Sequence, residues 1–241
     1  MTLAIAVLSA ILAAYAGGAC ASKSYDDYDT FYTAQPRAVF EVPIASGDSA
    51  AYANPGEPGI YTELQSDLDG KLIHIVISSN RITVNDRAYF FAKAVTFPGE
   101  HASDIYPPSA SAFLAPRAKF HTDSLCVQGY SNGSGEADRH TQIYLLVEPL
   151  QPKGRGPLLH LPGLLSSCRA IVATKNGQLT FPKNSYLLDE AQDTRIGLLV
   201  SYFIFKSGHF APTNNDVRLR FASPGNPFTF SRQDELAPRE P

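Results

Sequence analysis

Hydrophobic positions along this chain recur mostly with a period of two, in short runs broken by Pro, Gly and Asn. Residues 72–77 are dominated by β-branched side chains. Ser78-Ser79-Asn80 turns into 81–84, and Asn85-Asp86 turns again into 89–97, a spacing that predicts a three-strand meander. Residues 142–148 alternate, with Ile143, Leu145 and Val147 on one side. Shorter β-compatible runs follow at 169–174, 178–181 and 185–188. Residues 196–205 are apolar on both faces, the pattern of a central strand covered on both sides. Val217, Leu219 and Phe221 alternate with Arg218 and Arg220, and a Pro-Gly-Asn-Pro turn then leads into 228–230. Outside the N-terminal segment no 3.6-residue apolar stripe with caps occurs, so a short helix is allowed only at 45–70 and 186–195.

The pattern predicts an all-β chain, a β-sandwich over residues 37–231. It fits one sandwich or two tandem β-rich halves. The second option rests on Asp69-Gly70-Lys71-Leu72 leading to Phe97 and Asn176-Gly177-Gln178-Leu179 leading to Phe205, at near-equal spacing. A membrane β-barrel fits poorly, because the inward faces are apolar where a lumen needs polar ones. Residues 98–118 and 149–167 are long and Pro-bearing, the length at which loops become binding surfaces.

The one long apolar run lies at the start. Residues 3–16 are apolar apart from Ser9, and Gly17-Gly18-Ala19-Cys20-Ala21 supplies small residues before the first charge at Lys23. This is the layout of a signal peptide over 1–21, with Ala19-x-Ala21 as the cleavage site, although no Lys or Arg precedes the run. A membrane anchor would need about 20 strongly apolar residues, and this run weakens into glycines sooner. Cys20 is a candidate lipidation site, a partial match because Gly17 stands where such signals carry Leu. Residues 22–36 are acidic, Tyr-rich and without period, and are expected to be a polar tether. Residues 232–241 are expected to be a polar tail, with no apolar stretch for a GPI-type anchor.

Composition narrows the partners. The chain is 44% apolar and 18% charged with a formal net charge of −3, and no basic run exceeds two residues. A nucleic-acid groove is therefore not expected, and membrane contact is expected only through a lipid on Cys20. Removal or lipidation of Cys20 leaves Cys126 and Cys168, an even count that predicts a disulfide in an oxidising compartment, the alternative being two buried free thiols.

Few motifs carry chemistry. Gly129-Tyr130-Ser131-Asn132-Gly133 matches the G-x-S-x-G nucleophile elbow and resembles the Gly-Tyr-Ser-x-Gly of cutinases and esterases. The resemblance implies a serine hydrolase in which Ser131, Asp193 or Asp189, and His209 act in chain order. It spans five residues. The polar, glycine-broken stretch after it runs straight into the strand at 142, which favours a Ser/Gly hairpin loop. His121-x-Asp123 places two metal-ligand types on one face of a strand, a pattern that more often pairs on the surface than binds metal, so neither metal nor cofactor is expected. Facing carboxylates for a glycosidase cannot be read from spacing. Asn132-Gly133-Ser134 is an N-glycosylation sequon, meaningful only in a eukaryotic secretory pathway.

The expectation is a secreted or surface-attached, non-catalytic β-sandwich protein that binds a protein or glycan partner through its Pro-rich loops. A secreted hydrolase and a structural envelope or cell-wall protein are the rivals.

Overall fold

The computed structural model describes residues 23–44, 52–53, 60–68, 70–118, 121–131, 141–150 and 156–233. The expected signal, Cys20, Asn132 and the tail from 234 lie outside the described residues. The chain is mostly β. Its first elements are β1 (Ser24–Tyr25), α1 (Tyr28–Thr33), β2 (Tyr52–Ala53), β3 (Ile60–Leu68), β4 (Lys71–Ser78), β5 (Arg81–Val84) and β6 (Arg87–Phe90). Then come β7 (Ser111–Ala115), β8 (Ser124–Gly129), β9 (Gln142–Val147), β10 (Leu158–Leu161) and β11 (Val172–Ala173). The last four are β12 (Leu179–Leu188), β13 (Arg195–Lys206), β14 (His209–Ser223) and β15 (Asn226–Arg232).

All named strand pairs are antiparallel. They form a five-stranded sheet β2-β3-β4-β5-β6, a four-stranded sheet β10-β9-β8-β7 and a six-stranded sheet β1-β15-β14-β13-β12-β11. The four-stranded sheet contributes to two cores. Leu125, Val127, Tyr144 and Leu146 pack with Ile73, Ile75, Ile82 and Phe91 of the five-stranded side. Their neighbours in sequence, Cys126, Ile143, Leu145, Leu159 and Leu161, pack with Phe97 and Phe181, and with half-buried Phe203, Phe205 and Phe210 of the six-stranded sheet. Successive side chains on a strand point to opposite faces, so a sheet with a core on each side must be apolar at nearly every position. That is why β8 to β10 read Leu-Cys-Val, Ile-Tyr-Leu-Leu-Val and Leu-Leu-His-Leu. A third core joins Leu198, Val200, Leu219, Phe221 and Phe230 to Tyr25, Phe31 and Tyr32.

The meander is present as β4-β5-β6. Asn85 and Asp86 both take positive φ (45° and 67°), which a two-residue hairpin turn of matching twist requires. Its third strand stops at Phe90, and a 3-10 turn over Phe91–Lys93 replaces the rest of the expected run. No helix occupies the described parts of 45–70 or 186–195. Ile60, Leu64 and Leu68 mimic helical spacing, but residues 61–68 pair one by one with β4.

Other expectations are corrected more deeply. The two Pro-rich stretches are not free loops, for β7 lies in 98–118 and β10 in 149–167, and Ile105 and Pro107 are buried. The suggested repeat does not hold as structure. After Gly70 the chain makes three strands before Phe97, whereas after Gly177 it makes two longer ones and Phe205 lies within the second. The polar tether is folded from Ser24 onward. Tyr25 pairs with Phe230, and Phe31 and Tyr32 are fully buried. Asp27 caps α1 by accepting from the Thr30 N–H (2.7 Å) and hydroxyl (2.6 Å). Burial alone would raise the Asp27 pKa, but these bonds outweigh it and hold the carboxyl below its usual range.

Cys126 of β8 and Cys168, in a 3-10 turn between β10 and β11, form the expected disulfide across 42 positions, with Cα atoms 5.9 Å apart. It links the central sheet to the segment entering the six-stranded sheet. Arg169 beside it forms an ion pair with Asp29 of α1, to which Ser167 also donates (2.5 Å).

Candidate binding cleft

The residues nominated for serine hydrolysis are spread across the molecule. The Gly129–Gly133 pentapeptide leaves β8, and Gly129 pairs with Gln142 of β9, so the chain passes between antiparallel neighbours; an elbow needs a strand followed by a helix. Gly129 has a packing reason instead. A Cβ there would stand 2.7 Å from Ile105 Cγ2 and 3.2 Å from the Ala110 backbone. Tyr130 is pinned to the same segment, its N–H donating to Ser109 Oγ (2.9 Å) and its carbonyl accepting from Tyr106 N–H (2.7 Å). Asp189 and Asp193 lie in the turn before β13, where Asp189 Oδ1 accepts from the N–H groups of Asp193 and Thr194. His209 is exposed just after β13, with Nδ1 facing the Ser207 carbonyl at 3.2 Å. β13 is 12 residues long, so the acid and the histidine stand about 35 Å apart, at opposite ends of one strand. No triad forms from these three.

The His121/Asp123 pair is also committed elsewhere. Arg117 donates to Asp123 Oδ1 at 3.1 Å, and His121 Nδ1 faces the Thr122 carbonyl at 3.1 Å. Among the described residues no three His, Cys, Asp or Glu side chains come together as a metal site.

What the fold does build is a cleft of about 570 Å³ where the chain after α1 crosses the end of the six-stranded sheet. One wall is Gln35-Pro36-Arg37 and another is Val172–Asn176. Asn215, Asp216 and Arg232 complete the rim, while buried Tyr202, Thr180 and Val217 form the floor. Arg37 takes φ +63°, a conformation costing a non-glycine residue about 1 kcal/mol or more. It is fixed there from both ends: its carbonyl accepts from Ala173 N–H (2.9 Å) and its Nε donates to the Ala173 carbonyl (2.8 Å). The turn bearing Lys175 and Asn176 is organised by Thr174 Oγ1, which accepts from the N–H groups of Asn176 (3.2 Å) and Gln178 (3.0 Å). On β14 the register slips between the partners of Ser201 and Phe203, and Asn214 turns to φ +58°. This bulge carries Asn215 onto the rim, as bulges re-aim side chains at sheet irregularities.

Three cations and one carboxylate line this cleft, in a chain whose net charge is −3. Neither Arg37 nor Lys175 forms an ion pair among the described residues. The lining holds no Ser, Cys or His, and its charged groups are Arg37, Lys175, Arg232 and Asp216. The Tyr202 hydroxyl is buried without a hydrogen-bond partner among the described residues, and burial drives its pKa well above the tyrosine range against the opposing charge of Arg232.

None of these residues stands out as a site in the sequence. Arg37, Lys175, Asn215 and Arg232 lie far apart along the chain with no common spacing. The one local signal is polar Thr213-Asn214-Asn215-Asp216 interrupting an otherwise strand-like run. Comparison of the chain with protein-family models, with curated proteins and with solved structures gives no match.

Proposed function

We propose that this chain is an exported, non-catalytic β-protein that holds a glycan in the cleft between Arg37, Lys175 and Arg232. The observation that carries the reading is the lining itself: concave and cationic, with two asparagine amides beside the charges. Asn176 and Asn215 offer amide donors and acceptors of the kind that read sugar hydroxyls. The cleft's volume falls within the usual range for small-ligand sites, about 300–1,000 Å³.

Export is supported by the Cys126–Cys168 disulfide, since such bonds persist in oxidising compartments. The apolar segment at 1–21 is read as the signal, and a lipid on Cys20 would hold the protein at an envelope. Among the described residues no helix is long and apolar enough to cross a membrane.

The test is titration of isotope-labelled protein with neutral and acidic oligosaccharides, following backbone amide shifts. Shifts concentrated at 35–38, 172–176 and 215–217 are expected, unchanged in Ser131→Ala. Saturable shifts confined to other surfaces, or no binding to any oligosaccharide, would overturn the reading.

A further inference from the structure

We infer that the cleft selects acidic saccharides, and that the paired Nη atoms of Arg37, with Lys175, receive a uronate carboxylate. The inference rests on the glycan-binding reading and specifies its ligand. Arg37 is the carrying residue. Its Nε edge is spent on the Ala173 carbonyl, which orients the planar guanidinium and leaves the two Nη groups at its far end. Two parallel N–H donors on one plane match two oxygens of a carboxylate, and a lone hydroxyl matches them less well. The residue is also held with φ +63°, an arrangement fixed by two hydrogen bonds to one partner residue and by the Ala38–Val172 bridge that follows. Backbone strain locked by surrounding contacts is a recurrent mark of ligand clamps.

Lys175 supplies a second, unoriented positive charge from an exposed turn across the cleft. Asp216 is the single lining carboxylate, so a bound anion would meet a net positive wall on a net negative protein. That contrast concentrates anions at one place on the surface. Asn176 and Asn215 would then take hydroxyls of the same sugar or its neighbour.

Isothermal titration with a galacturonic acid tetrasaccharide, the neutral galactose tetrasaccharide and a sulfated galactose tetrasaccharide tests this, at low and high salt. The uronate is expected to bind at least tenfold tighter than the neutral sugar and to weaken with salt. Lys175→Gln, on an exposed turn where folding is not at stake, and Arg37→Gln should each weaken uronate binding about tenfold and narrow its margin over the neutral sugar; uronate affinity unaltered in both variants would overturn the inference. Equal binding of the uronate and the neutral sugar would overturn the carboxylate inference and leave the glycan reading standing. Tighter binding of the sulfated sugar would overturn the assignment to a planar carboxylate. Failure of all three to bind would overturn both readings.

Discussion

His160 shows how much a single residue carries in a sheet buried on both faces. Its ring lies 5.0 Å from that of Tyr144, and its Nε2 meets Gln142 Oε1 at 2.8 Å, so Nε2 bears the proton and Nδ1 is left bare and buried. Burial lowers the His160 pKa, with Glu100 opposing. A histidine whose folded pKa is depressed leaves stability intact above its unfolded pKa of about 6.5 and erodes it as pH falls from there toward the folded value. Chemical denaturation of wild type and His160→Gln between pH 7 and 5 checks this. The wild type should lose stability on acidification more steeply than the variant, and parallel profiles would refute the assignment. His74 also stands among apolar residues of a strand, β4, yet it pairs with Glu63 at 2.5 Å on a half-exposed face. Period two identifies which residues share a face but does not say whether another layer covers it.

At the scale of elements, α1 was illegible for a physical reason. It is six residues long, too short to display a period, and it is stabilised by packing rather than propensity. Its two buried aromatics, Phe31 and Tyr32, sit in a stretch whose acidity reads as solvated. A tether would tolerate Phe31→Ala with a change within about 0.5 kcal/mol. The folded arrangement, with Phe31 at 5.3 Å from Tyr25 and 5.8 Å from Phe230, predicts a loss of about 3–5 kcal/mol in urea unfolding. The long strands were more readable, because β13 is a sustained apolar run and β14 alternates over 217–221, though β12 looked like two pieces around Pro182. β13 and β14 approach closely at Gly197, where a Cβ would stand 2.2 Å from the Leu219 carbonyl oxygen. Gly197→Ala must push the two strands apart, so a destabilisation of about 1–3 kcal/mol or more is expected in the same assay.

At the scale of the molecule, three sheets share three cores, and one covalent bond ties the central sheet to the segment entering the largest sheet. Cysteine count made that bond the most legible long-range feature. The all-β class followed from period and turns. The stacking of sheets did not, since it depends on which apolar faces meet. Closing a loop of 42 positions restricts the unfolded chain by about 4 kcal/mol in the chain-entropy account. Cys126→Ala with Cys168→Ala should therefore lower unfolding free energy by up to about that amount while β content by circular dichroism persists. An unaltered midpoint would show that the bridge adds nothing to stability. The cleft was beyond sequence reach for the same reason as the stacking: Arg37, Lys175 and Arg232 converge only after α1 docks and β11, β14 and β15 take their places.

Hydrogen exchange of the intact protein, with and without saturating galacturonic acid tetrasaccharide, addresses the ligand seat directly. Protection is predicted at 35–38, 172–176 and 215–217, with 98–118 and the segment around Ser131 unchanged. Protection centred on 98–118 or Ser131, with the Arg37 segment unaffected, would contradict it.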